Sequence, residues 1–81
     1  MLNIKELYEL VSVAIEPESP IDKESSTENT PEWDSLGHLS ILASLDERTS
    51  GATSDLDTIS EADSIEKLVN LLSSNSLLSE D

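Results

Sequence analysis

The residues best suited to chemistry lie together in the run Trp33-Asp34-Ser35-Leu36-Gly37-His38-Leu39. Ser35 falls where a long polar stretch gives way to a helical pattern. The first turn of a helix carries unpaired backbone N–H groups and a partial positive charge, and a phosphate placed there is stabilised. A serine hydroxyl at this point is well sited to bear a phosphodiester. His38 follows three residues later, a spacing that makes side chains neighbours on a helix, so a Ser–His hydrolase is the competing chemistry. It lacks a legible orienting acid, oxyanion hole or pocket. The bland reading of His38 is a polar surface residue, and the intermediate one is a contact to a phosphate or to a partner enzyme.

The elements that must position Ser35 follow from hydrophobic spacing. Ile4, Leu7, Tyr8, Val11, Ala14 and Ile15 recur at steps of three and four, which predicts a helix over 4–15. Asn3 with Glu6 makes an N-terminal capping pair, and Pro17 and Pro20 end the helix. Residues 16–34 hold three prolines and six acids before Asp34, and Ile21 is the aliphatic side chain that pins this loop to the core. A loop of that length in so small a chain tends to be functional or disordered.

A second helix is predicted over about 35–49, capped by Asp34 and closed by Ser50 and a left-handed Gly51. Leu36, Leu39, Leu42 and Leu45 form its apolar stripe at steps of three. Leu36 and Leu39 are expected to turn inward and leave Ser35 facing out, so truncating Leu39 to alanine should cost about 2–4 kcal/mol. Ile41, offset from the stripe, is either a core residue or part of an exposed recognition face with Ala43, and the second reading is the one adopted. Trp33 is expected to pack just before the cap as the apolar half of a hydrophobic staple. Gly37 costs about 1 kcal/mol in a helix relative to alanine, and either gives close access or reflects drift.

Residues 52–59 read as a short helix or a single turn. A last helix is predicted over 61–72, with Ala62, Ile65, Leu68, Val69 and Leu72 on one face and Ser60 with Asp63 as a weak cap. The expected fold is all-α: a small four-helix bundle of three main helices and one short one, with a long first loop. The chain reads as one domain, ordered over about 3–72, with a flexible tail over 73–81 in which Leu77 and Leu78 are candidates to dock.

Composition narrows the function. A chain of 81 residues allows one modest core. Four Lys and Arg against 18 Asp and Glu give a formal charge of −14. Nucleic acid is therefore an unfavourable partner, and anionic membrane surfaces are disfavoured for the same reason, while basic protein patches are favoured. There is no cysteine, hence no disulfide and no thiolate metal site. Neither a membrane helix nor a signal peptide is visible, so a cytoplasmic monomer is expected. Asp55, Asp57, Glu61 and Asp63 do not match the spacing of a calcium loop. No metal site is predicted.

The run Asp34-Ser35-Leu36 resembles the modification motif of the acyl carrier protein family. The resemblance extends to the spacing of Leu39, Leu42 and Leu45, to Asp46-Glu47, and to Ile59-Ser60-Glu61-Ala62-Asp63-Ser64-Ile65, covering about Ile4 to Leu72. It implies that a phosphopantetheinyl transferase attaches a 4'-phosphopantetheine arm from coenzyme A to Ser35, with Asp34 and Leu36 flanking the attachment point and Asp34 helping to position the transferase. The arm's thiol would hold an acyl group as a thioester. The chain would be no enzyme itself. Its further partners would be a loading ligase and a downstream transferase or synthase with basic docking patches, met through Trp33, His38, Ile41, Asp46 and Glu47.

Glu32-Trp33 before Asp34 departs from fatty-acid carriers, which have glycine two residues before the serine and acids along the first half of the second helix. The form here is similar to stand-alone carriers of specialised lipid or secondary-metabolite pathways. An aminoacyl or peptidyl carrier uses Ser35 identically. The alternative of a different class is an unmodified acidic interaction module.

Overall fold

The first helix starts as its capping residues dictate. In the computed structural model, which describes residues 2–79, the Asn3 side chain accepts from the Glu6 N–H at 2.8 Å and the Glu6 carboxylate accepts from the Asn3 N–H at 3.1 Å. This reciprocal box opens α1 (Ile4–Ile15), which buries Leu7, Val11 and Ile15 at helical spacing. Glu16 ends the helix in the left-handed region, φ 47°, ahead of Pro17.

The stretch from 16 to 34 has no regular element, yet its backbone is tied down. Glu24 N–H bonds the Asp22 carboxylate at 2.8 Å, and Ser26 N–H bonds the Asn29 side chain at 2.9 Å, which returns a bond to the Glu24 carbonyl at 2.8 Å. These local side-chain turns replace secondary structure. An antiparallel bridge between Ser26 and Ser64 fixes the loop to the start of the last helix, through Thr27 N–H to the Asp63 carbonyl and Ile65 N–H to the Ser25 carbonyl. Ile21 and Trp33 enter the core, Trp33 with only 1% of its surface exposed. Ile21 thus pins the loop as its apolar character predicts.

Asp34 caps α2 (Ser35–Arg48) by accepting from the Gly37 N–H at 2.8 Å. Two 3₁₀ turns follow, Ala52–Asp55 and Ile59–Glu61, in place of a fourth helix. The last helix, α3, spans Ile65–Ser74 and buries Ile65, Leu68 and Leu72. Its cap is Ser64, whose hydroxyl accepts from the Lys67 N–H at 3.1 Å, not Ser60 as the sequence suggested. Ser60 and Glu61 belong to the preceding turn, so α3 begins four residues later than predicted. Over the described residues the architecture is a small helical globule of three α-helices around one core.

The two ends meet. A two-residue parallel pair joins β1 (Leu2–Asn3) to β2 (Leu78–Ser79), with Leu2 opposite Leu78 and both side chains buried. Two residues are too few to show strand alternation in a sequence, which is why the pairing was illegible. Leu78 docks, whereas Glu80 and Asp81 of the predicted tail lie outside the described residues.

The apolar face of α2 is the main correction. Ile41 and Leu45 are fully buried, Leu42 is half-buried, and Leu36 and Leu39 are 76% and 62% exposed. A helix advances about 100° per residue. Nine residues from Leu36 to Leu45 therefore turn through about 900°, which puts the two leucines on opposite sides of the cylinder. A stripe at steps of three cannot stay on one face. The core instead takes Ile41 and Leu45, four residues apart, and Ile41 is no part of an exposed recognition surface.

Ile41→Ala should lower stability by about 2–4 kcal/mol as a core truncation, while Leu39→Ala should stay within about 0.5 kcal/mol of wild type. Paired urea melts measure both, and equal costs would refute the assigned face. A second expectation concerns acid. The Asn3 backbone N–H, and then the Arg48 guanidinium paired with Glu6, hold the Glu6 carboxyl below its ordinary value. A lowered folded pKa gives stability that is present above the unfolded value and lost as pH falls through the folded one. The stability difference between wild type and Glu6→Gln should therefore shrink below about pH 4.3, as followed by urea melts at stepped pH.

Candidate functional site

The site is built where the loop meets α2. Asp34 satisfies the Gly37 N–H, and the His38 N–H bonds the Asp34 carbonyl at 2.8 Å. No intrahelical acceptor exists for the N–H groups of the first helical residues, Ser35 and Leu36. Ser35 itself is exposed. It lies on the rim of a groove of about 430 Å³ lined by Thr27, Trp33, Asp34, Ser35, His38, Ser60 and Asp63.

Trp33 and His38 occupy the two positions of a hydrophobic staple, before the cap and one turn into the helix. Here the staple is also polar. The Trp33 indole N–H donates to His38 Nδ1 at 3.1 Å, and the rings lie 6.3 Å apart at 23°. On its other side, His38 Nε2 is 2.8 Å from the Ser60 carbonyl oxygen. An indole N–H only donates and a carbonyl only accepts. This pair of contacts is satisfied by a neutral imidazole that carries its proton on Nε2 and its lone pair on Nδ1. Both ring nitrogens are engaged, Nδ1 by the Trp33 indole and Nε2 by the Ser60 carbonyl.

Gly37 has a structural task that the sequence left open. A Cβ built there would lie 2.5 Å from the Glu32 carbonyl oxygen and 3.0 Å from Ile15 Cγ2 of α1. The missing side chain lets the end of the loop and the end of α1 close on the start of α2.

The residues singled out from the sequence divide into two groups. Asp34, Ser35 and His38 come together in the groove. Leu36 stands beside them, exposed on the outer side of α2. Trp33 lines the groove but is buried, as is Ile41, so neither presents a surface to a partner. Glu47 is exposed near the far end of α2, whereas Asp46 is half-buried and its Oδ1 has no hydrogen-bond partner. The exposed leucine pair, Leu36 and Leu39, was missed, although helical angle arithmetic would have found it. The contributions of Thr27, Ser60 and Asp63 depend on tertiary closure and carry no local signal.

One ion pair bears on the groove. Asp63 pairs with Lys67 at 2.9 Å, which holds the Asp63 carboxyl below its ordinary value and raises Lys67. Among the described residues, no group of three or more His, Asp or Glu side chains converges as metal ligands would, and no helix is long and apolar enough to cross a membrane. A separate groove of about 490 Å³, lined by Ile4, Tyr8, Ile65 and Val69 among others, runs between α1 and α3 and does not include Ser35. Compared with protein-family models, with curated proteins and with solved structures, the chain matches none.

Replacing Gly37 by alanine tests the closure. Helix propensity alone would favour the change by about 1 kcal/mol. Overpacking against a backbone carbonyl and Ile15 should reverse the sign and leave a net loss of about 1–3 kcal/mol in a urea melt. A stabilised variant would mean that the loop does not hold this close approach.

Proposed function

We propose that the chain is a carrier: Ser35 bears a 4'-phosphopantetheine arm and presents an acyl intermediate to partner enzymes of a specialised pathway. The observation that carries this reading is the placement of Ser35. It is an exposed hydroxyl at the first position of a helix, beside a groove and at the end of an ordered loop. That placement fits the phosphodiester end of such an arm. The backbone N–H groups of Ser35 and Leu36 can face an anion; of the side chains that line the groove, Thr27 and Ser60 are neutral, and the carboxylates of Asp34 and Asp63 are engaged by the Gly37 N–H and by Lys67. The arm, when attached, supplies a terminal thiol that holds cargo as a thioester.

Ser35 supplies the attacking oxygen when the arm is attached, its Oγ–P bond replacing the phosphoanhydride bond of coenzyme A as adenosine 3',5'-bisphosphate leaves; the other residues of this chain position and present. His38 is committed to Trp33 and Ser60, so the proton of Ser35 must leave to a base on the transferase. Exposed Leu36 and Leu39 offer that transferase and later partners an apolar contact within one turn of the attachment point. Asp34 and the exposed Glu47 suit basic residues on the same partners. Loading by a ligase and unloading by a downstream transferase or synthase then occur in trans. An aminoacyl cargo would use the same groups.

Intact mass spectrometry after incubation with coenzyme A, Mg²⁺ and a broad-specificity phosphopantetheinyl transferase tests the proposal. Wild type should gain the mass of one arm. Ser35→Ala should gain none while keeping its circular dichroism spectrum, since the hydroxyl faces solvent. If folded wild type gains no mass with several transferases, the carrier reading fails and the acidic interaction module takes its place.

A further inference from the structure

His38 is the one histidine of the chain, and its ring joins three segments: the loop through Trp33, α2 through its own backbone, and the 3₁₀ turn Ile59–Glu61 through Ser60. The geometry points to a proton-sensitive latch: neutral His38 clamps Trp33 and Ser60 together beside Ser35, and protonation at Nδ1 releases the Trp33 side. This goes beyond the carrier reading and does not depend on it.

The latch rests on the matching of donors and acceptors around the ring. Only the neutral ring with its proton on Nε2 can accept from the indole and donate to the carbonyl. An added proton must occupy the Nδ1 lone pair that Trp33 now uses, which sets N–H against N–H at a separation of 3.1 Å between nitrogens. The bond to Ser60 would persist and gain charge assistance. The latch therefore opens on one side only: Ser60 stays attached to α2 while the indole and the loop end around it lose their polar anchor. Burial of the indole sharpens the effect, because an unpaired buried donor bears its desolvation cost in full.

Asp34, at the loop end and the cap of α2, and Asp63, after the 3₁₀ turn, line the same groove as the ring. Asp63 already engages Lys67 of α3. Glu61 stands next to Ser60 in the turn, and the partial positive charge at the start of α2 lies on the ring's own helix. None of these groups supplies the acceptor that Trp33 loses on the ring.

The test follows the full chain by ¹H–¹⁵N NMR from roughly pH 8 to pH 5, the range over which imidazoles titrate. At the upper end, His38 should show the Nε2–H tautomer. As the pH falls, the Trp33 indole resonance should move with the same midpoint as His38, and indole N–H exchange with water should quicken by about tenfold, as the loss of one hydrogen bond allows. In His38→Gln, which can accept and donate but not titrate, the indole resonance should stay still across the range. A proton on Nδ1 at the upper end would overturn the latch. So would an indole signal that ignores the titration of His38, or one that titrates equally in His38→Gln.

Discussion

An indole is the largest apolar side chain a protein can bury, removing on the order of 150–250 Å² from water, and in a core otherwise made of Leu, Ile, Val and Ala its position constrains everything near it. Trp33 sits fully buried one residue before the cap of α2. Its N–H must find an acceptor there, and His38 is that acceptor. The ring then needs an acceptor for its own proton, which the Ser60 carbonyl provides. One buried donor thus sets a chain of requirements that links loop, helix and 3₁₀ turn. At the same junction Ser35 is exposed and Gly37 lies close to Glu32 and Ile15.

The parts of this arrangement that were legible in the sequence are those governed by neighbours along the chain. The Asn3–Glu6 box, the Asp34 cap, the span of α1, the left-handed Gly51 and the placement of Trp33 all depend on residues within about one turn, and the structure has each of them. The face of α2 was legible too, but steps of three drift around a helix by about 60° each. Following the leucines instead of the angle put Leu36 and Leu39 inside and Ile41 outside, the reverse of what the core holds. The start of α3 was misplaced for a different reason. Ser60 and Ser64 both offer a hydroxyl ahead of an apolar run, and the choice between them rests on the bridge from Ser64 to Ser26, a contact 38 residues away in sequence. The 3₁₀ turns and the pairing of Leu2 with Leu78 likewise depend on tertiary contacts.

Charge shapes the molecule in a different way from packing. With a formal charge of −14, self-repulsion works against the compact state, and the two ion pairs among the described residues, Glu6–Arg48 and Asp63–Lys67, are exposed enough to contribute little. The loop handles its acids by spending side chains on its own backbone. Asp22 and Asn29 accept from nearby N–H groups, and the bridge to α3 secures the middle of the segment. A loop rich in acids and prolines can thus be ordered without a helix or strand of its own.

The outer side of α2 divides along its length, and the division has consequences for the proposed carrier role. Leu36 and Leu39 occupy the end beside Ser35, and Glu47 lies near the other end, about 16 Å along the axis from Leu36 at 1.5 Å per residue. Apolar contact acts only at short range and is insensitive to moderate salt, whereas attraction between exposed charges is screened over about 8 Å at physiological ionic strength. A partner drawn in by the acidic surface, which includes Asp34 beside Ser35 as well as Glu47, would therefore be held at the near end of α2 by the two leucines. Salt would slow its approach more than it would loosen the contact at Ser35. That division of labour matches a carrier that must meet several enzymes in turn: fast encounter comes from charge that is spread over the molecule, and alignment at the reactive position comes from two leucines that the core does not use.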